Sequence, residues 1–145
     1  MNMPYRFIDN IALADVAFEA TGESLAEVFK AAAGALLDVM VAERQSVKAK
    51  LHKVVSIEAE STEMLLFDFL QELIFLKDRD QSLLAAQQIE IEDHKDGCHL
   101  TAVLTGEQMD DARHDLVVDV KAVTMHQFRL ARIPTGWRAR VVLDI

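Results

Sequence analysis

A single cysteine sets the first limit on this chain. Cys98 has no second thiol among the 145 residues, which excludes an internal disulfide and a Cys-rich zinc site. Basic residues are also scarce: 15 Lys and Arg stand against 24 Asp and Glu, for a net charge of −9. Gripping phosphates takes clustered cations, so this balance argues against strong direct binding of nucleic acid. An acidic chain can instead dock on a basic partner, because complementary potentials speed such encounters. Long apolar runs are missing as well. The longest, such as Met64-Leu-Leu-Phe67, are far too short to span a bilayer, so no membrane partner is expected. The opening Met-Asn-Met-Pro-Tyr-Arg lacks the apolar core of a signal peptide. There are no repeats, low-complexity segments or linker-like stretches. What is present is a chain that is 51% hydrophobic, suited to one domain over residues 1–145 with a sizeable core. A soluble cytoplasmic protein is the expectation.

Hydrophobic period then divides the chain into elements. Residues 5–8 read as a short opening strand, with a break at Asp9-Asn10. Residues 14–20 alternate, placing Val16 and Phe18 inward and Asp15 and Glu19 outward. After the turn at Thr21-Gly22-Glu23, Ser24-Leu-Ala-Glu27 has the form of a capping box. Leu25, Val28, Phe29, Ala32, Leu36 and Met40 follow at helical spacing, and the alanines between them suit close approach to a sheet. Residues 47–60 become strand-like towards their end, with Val55, Ile57 and Ala59 in phase. Ser61 or Thr62 caps a second helix running through Leu76, apolar on nearly every side and expected to be the core helix.

A polar loop is expected over residues 78–82. Ile89 and Ile91 mark a strand, Lys95-Asp96-Gly97 a hairpin turn, and Cys98, Leu100, Ala102 and Leu104 the return strand. A long polar connection covers residues 106–115. Val118, Val120 and Ala122 alternate with Asp119, Lys121 and Val123 as in a half-buried strand. Ile133-Pro134-Thr135-Gly136 supplies turn chemistry, and the last strand sets Trp137, Ala139, Val141, Leu143 and Ile145 against Arg138, Arg140 and Asp144. The order β-β-α-β-α followed by strands predicts an α+β fold, two helices packed on a largely antiparallel β-sheet. The final strand stops without a tail, on a carboxylate beside Asp144.

Four segments carry a resemblance. Asp15-Val-Ala-Phe-Glu-Ala-Thr-Gly-Glu-Ser-Leu-Ala-Glu-Val-Phe29 resembles the strand-turn-helix opening of the archease family. Gly106-Glu-Gln-Met-Asp-Asp-Ala-Arg-His114 resembles that family's Gly-Glu-x-Phe-Asp-x-x-Arg-His loop, and Val120-Lys-Ala-Val-Thr-Met-His126 its Val-Lys-Ala-Val-Thr-Tyr-His strand. The ending from Trp137 to Asp144-Ile145 matches too, and the four stand in the family's order over essentially the full length. The resemblance implies a protein that is not itself an enzyme. Archeases assist the GTP-dependent RtcB-type RNA ligase of tRNA splicing and RNA repair, promoting guanylylation of the ligase and repeated turnover. It also implies a divalent cation held by Asp15 and Asp144; with the terminal carboxylate of Ile145 as a third oxygen donor, the hard-oxygen set suits Ca²⁺ or Mg²⁺. Lys121 and His126 match the family's strand lysine and histidine and are expected to contact partner or nucleotide.

One departure stands out. Where the family reads Asp-His-Thr-Ala-Asp, this chain reads Asp9-Asn-Ile-Ala-Leu-Ala-Asp15, two residues longer and without the histidine. Two further readings therefore stay open. One is a scaffolding or ligand-binding domain that kept the fold and lost the activator role. The other is a small metal-dependent hydrolase using the same carboxylates, although no activated nucleophile is visible. Arg113 and His114 read as loop-shaping residues, and Cys98 as a small core hydrophobe.

Overall fold

Ser24 Oγ accepts the Glu27 N–H at 3.2 Å, and the Glu27 carboxylate accepts the Glu23 N–H at 2.7 Å. The reciprocal bonds of the expected capping box thus start the first helix. The computed structural model describes residues 4–8 and 15–145, so the break at Asp9-Asn10 and the altered motif leading to Asp15 lie outside the described residues. In chain order the elements are β1 (Tyr5–Ile8), β2 (Asp15–Gly22), α1 (Leu25–Met40), β3 (Leu51–Ala59), α2 (Thr62–Asp80), β4 (Ser82–His94), β5 (Gly97–Gln108), β6 (Ala122–Ile133) and β7 (Gly136–Asp144), with a 3₁₀ turn at Arg44–Ser46.

The fold is α+β and antiparallel, as the element order predicts, but the strands form two sheets. One runs β1-β2-β7-β6 and the other β3-β5-β4. Helix α1 packs on β1, β2 and β7 of the first sheet and on β4 of the second, while α2 touches β6 of the first and all three strands of the second. Each helix therefore bridges the sheets.

The more enclosed helix is α1 rather than α2. Ala31, Ala32, Ala33, Gly34 and Ala35 are all buried, because small side chains let elements close in from several directions. Helix α2 buries Leu66, Phe69, Leu70 and Leu73 but leaves Phe75 51% exposed. It also runs one turn past Leu76, to Asp80, ending where Gln81 takes the left-handed conformation at φ +53°. Residues 78–80, polar enough to read as loop, are the helix's solvent face.

In the second sheet His94 pairs with Gly97 around Lys95-Asp96, the expected hairpin. Strand β5 continues to Gln108, so the polar connection begins after it rather than at Gly106. In the first sheet β6 begins only at Ala122, because the Val120 carbonyl before it is taken by Lys77 of α2. The Lys121 N–H donates to the Asp144 C=O at 2.8 Å, and the Val120 C=O accepts from Lys77. The outer edge of β6 is covered by α2. Gln71 Oε1 accepts the Val123 N–H and Glu63 Oε2 the Leu130 N–H, each at 2.9 Å, which closes an edge that could otherwise template another strand.

Candidate functional site

Register brings two of the expected site residues face to face. Asp15 is the direct partner of Asp144 across β2 and β7, and Ala122 of β6 is the partner of Asp144 on its other side. The sequence pattern makes this happen. Val16, Phe18 and Ala20 of β2 and Ala139, Val141 and Leu143 of β7 turn inward to the helices, which sends Asp15 and Asp144 to the opposite face. Ala17 and Val142, next along that face, are buried at 1% and 0%, so an apolar floor lies beside the carboxylates.

Directly opposed residues in an antiparallel pair hold their Cβ atoms about 4.5–5.5 Å apart, and like charges there repel. Among the described residues neither carboxylate enters an ion pair. Lys121 joins them through its backbone bond to Asp144, and its exposed side chain borders a groove of about 490 Å³ with Asp68, Glu72, Phe75 and Asp78 of α2. Ile145 follows Asp144 and packs half-buried on the core.

His126 is placed apart from this cluster. Between the pairs Thr124–Val142 and Arg129–Arg140 the β6 register slips, so residues 125–128 bulge opposite Val141 alone. Gln127 in the bulge has φ +55°, and its side-chain oxygen accepts from Arg140 at 2.7 Å. Met125 and His126 are exposed on this bulge, beyond the Thr124–Val142 row from Asp144. The structure sets Asp15 opposite Asp144, ties Lys121 to Asp144 through the backbone with its side chain along α2, and leaves His126 on a separate projection of the same sheet.

The donor chemistry suits a hard cation. Among the described residues no three His, Cys, Asp or Glu side chains gather as a metal site. Two opposed carboxylates with open coordination positions fit Mg²⁺, which keeps several waters, or Ca²⁺ completed by carbonyls and water. A donor set of carboxylate oxygens does not favour a softer metal.

The sequence reading missed the centres of two polar clusters, Glu107 and Lys77, although it read Arg113 and His114 as loop-shaping. Glu107, buried at 5%, accepts the Lys48 N–H at 2.9 Å and His114 Nε2 at 2.9 Å, and pairs with Arg113. The Lys48 amide is the largest cause holding its carboxyl down at about 2; burial opposes this, and His114 and Arg113 reinforce it. His114 Nδ1 accepts the Asp110 N–H at 3.0 Å, which assigns the ring proton to Nε2. Arg113 and His114 thus shape the loop after β5 around Glu107. The second cluster centres on Lys77, 2% exposed in α2. Its spacing from Leu66, Leu70 and Leu73 was the available signal, since i+4, i+7 and i+11 share one helix face.

Nucleophilic chemistry finds little support. Burial pushes the Cys98 thiol up, with the nearby Asp93 charge adding to it, as in an inert core cysteine. Ser56 Oγ lies 2.6 Å from His99 Nε2 on the open face of the second sheet, but among the described hydrogen bonds no carboxylate orients that ring.

Residues 5–145 match the model of the Archease protein family (MTH1598/TM1083). The chain belongs to the archease family. It is 37% identical to Protein archease of Pyrococcus furiosus over 134 residues, covering 91% of this chain and 93% of that one. It is 35% identical over 144 residues to Protein archease of Archaeoglobus fulgidus, covering 99% and 100%. The solution structure of Methanobacterium thermoautotrophicum protein 1598 superposes with a TM-score of 0.86 at 34% identity, covering 99% of this chain and all of that one. The crystal structure of an archease and possible chaperone from Thermotoga maritima shares the fold, with a TM-score of 0.65 at 21% identity over 97% and 98% of the two chains. Among the described residues of this archease no helix is long and apolar enough to cross a membrane.

Proposed function

We propose that this archease is a non-catalytic activator of an RtcB-type GTP-dependent RNA ligase, promoting guanylylation of the ligase and its repeated turnover. The observation that carries the reading is the opposition of Asp15 and Asp144 across β2 and β7, with Lys121 tied to Asp144 by a backbone hydrogen bond of 2.8 Å. Two facing carboxylates without a cationic partner cost energy, and a bound cation turns that repulsion into a site. Asp15 and Asp144 would hold Mg²⁺ or Ca²⁺, with a main-chain oxygen of Ile145 and water completing the shell. The cation supplies charge for binding phosphate oxygens when the site is loaded. Lys121 brings a compact, mobile ammonium to the same end, suited to a phosphate of the partner's nucleotide. The net charge of −9 favours docking on a basic ligase rather than direct binding of RNA.

The test is guanylylation of the cognate ligase with and without this protein, alongside Asp144→Ala. Stimulation that the variant loses while keeping its circular dichroism and melting profile supports the reading. Equal stimulation by the variant, or none by the wild type, contradicts it.

A further inference from the structure

Lys77 is an ammonium group taken almost wholly out of water, its side chain 3% exposed, and both of its hydrogen bonds leave α2. Its Nζ lies 2.6 Å from Asp119 Oδ1, 2.7 Å from the Val120 carbonyl oxygen and 2.7 Å from Asp78 Oδ1. The contacts with Asp119 and the Val120 carbonyl are hydrogen bonds, and the contact with Asp78 is an ion pair, so the buried charge is met on three sides. Two of those acceptors belong to consecutive residues, and the next residue is Lys121, whose own N–H bonds to Asp144. Residues 117–121 belong to no strand. Their fixed points are the Val117 N–H on the Met40 C=O at 2.9 Å, the buried Val120 side chain, the Lys77 contacts and the Lys121–Asp144 bond.

We propose that Lys77 is a positioning residue for the carboxylate site. It clamps the backbone at Asp119 and Val120, and so fixes Lys121 and the end of β7 that carries Asp144. The clamp is polarised for this role. The Asp119 side chain is 74% exposed, so its outer side stays hydrated while its inner oxygen meets the ammonium. The carbonyl of Val120 has no comparable access to water, because that residue is 0% exposed and its oxygen turns to Lys77. Lys77 also occupies the last turn of α2, where the helix dipole favours a cation. A methionine in its place would keep a buried side chain of similar length and would release the segment.

This inference rests on the cation-site reading above, and its test separates the two. Lys77→Met and Asp119→Ala are compared with the wild type by amide hydrogen exchange and by titration with CaCl₂ and with MgCl₂. Asp119 is an exposed residue whose truncation leaves the core intact, so one arm survives if Lys77→Met fails to fold. The expected result is exchange of the Lys121 amide faster by tenfold or more, with amides of α1 unchanged. Cation affinity should fall about tenfold, the effect of losing a group that orients a metal ligand. Restoration of both by Lys77→Arg would mark the charge-assisted clamp as the cause. Wild-type Lys121 exchange in both variants overturns the inference, as does lowered melting temperature with unchanged cation affinity. A wild-type protein that binds neither cation contradicts the cation-site reading instead, and removes the premise on which Lys77 was assigned.

Discussion

Asp15 and Asp144 are cross-strand partners, two carboxylates set opposite each other where an antiparallel sheet ordinarily places complementary charge. Opposed like charges destabilise by a few tenths to about 1 kcal/mol. Without divalent cation, Asp15→Asn or Asp144→Asn should therefore raise the melting temperature slightly. Adding Mg²⁺ or Ca²⁺ should stabilise the wild type and leave both variants unmoved. Calorimetric melts in EDTA and in cation check this, and a cation-induced shift retained by both variants would refute it.

Glu107 makes acid stability predictable. Its folded pKa of about 2 lies below the ordinary 4.5, so the carboxylate stabilises the fold above pH 4.5. That contribution is lost as pH falls from 4.5 towards 2. Glu107→Gln should be less stable at neutral pH, yet show a flatter decline through that window. Urea denaturation at a series of pH values measures both slopes; parallel curves would exclude Glu107 as the cause.

Gly106 is fixed by a close approach between strands. A Cβ there would lie 1.8 Å from the Leu83 carbonyl oxygen, a backbone atom that cannot swing away. Gly106→Ala should destabilise by about 3 kcal/mol, the upper end for overpacking. Equilibrium unfolding that shows a change under about 1 kcal/mol would mean that β4 relaxes more easily than a paired strand should.

Gln81 ends α2 with φ +53°, a conformation that costs residues bearing a Cβ roughly 1 kcal/mol. Gln81→Gly should gain about 0.5–1 kcal/mol, as at other left-handed helix ends, and leave the site untouched. Chemical denaturation is sufficient to read it.

Local patterns wrote much of this fold openly into the sequence. Ser24 and Glu27 announced the first helix, Ser61 or Thr62 the second (Ser61 is the cap), and Lys95-Asp96-Gly97 the hairpin, because caps and turns act between near neighbours. Long-range packing was less legible. The alternation over residues 118–123 was real, yet Lys77 claimed the Val120 carbonyl that a longer strand would have used. Apolarity alone ranked α2 as the core helix, whereas the small residues of α1 let it sit deeper. At the site, alternation placed Asp15 on the wet face, but only strand pairing could set it against Asp144. The bulge holding His126 depends on unequal lengths of β6 and β7, which no single segment reveals.

The most direct test of the central claim is multiple-turnover RNA ligation by the cognate RtcB-type ligase, with wild-type protein and with Asp144→Asn, in Mg²⁺ or Ca²⁺. The account predicts that substoichiometric ligase continues past one turnover with the wild type and stalls with the variant. Equal turnover with the two proteins, or no stimulation by the wild type, would contradict it.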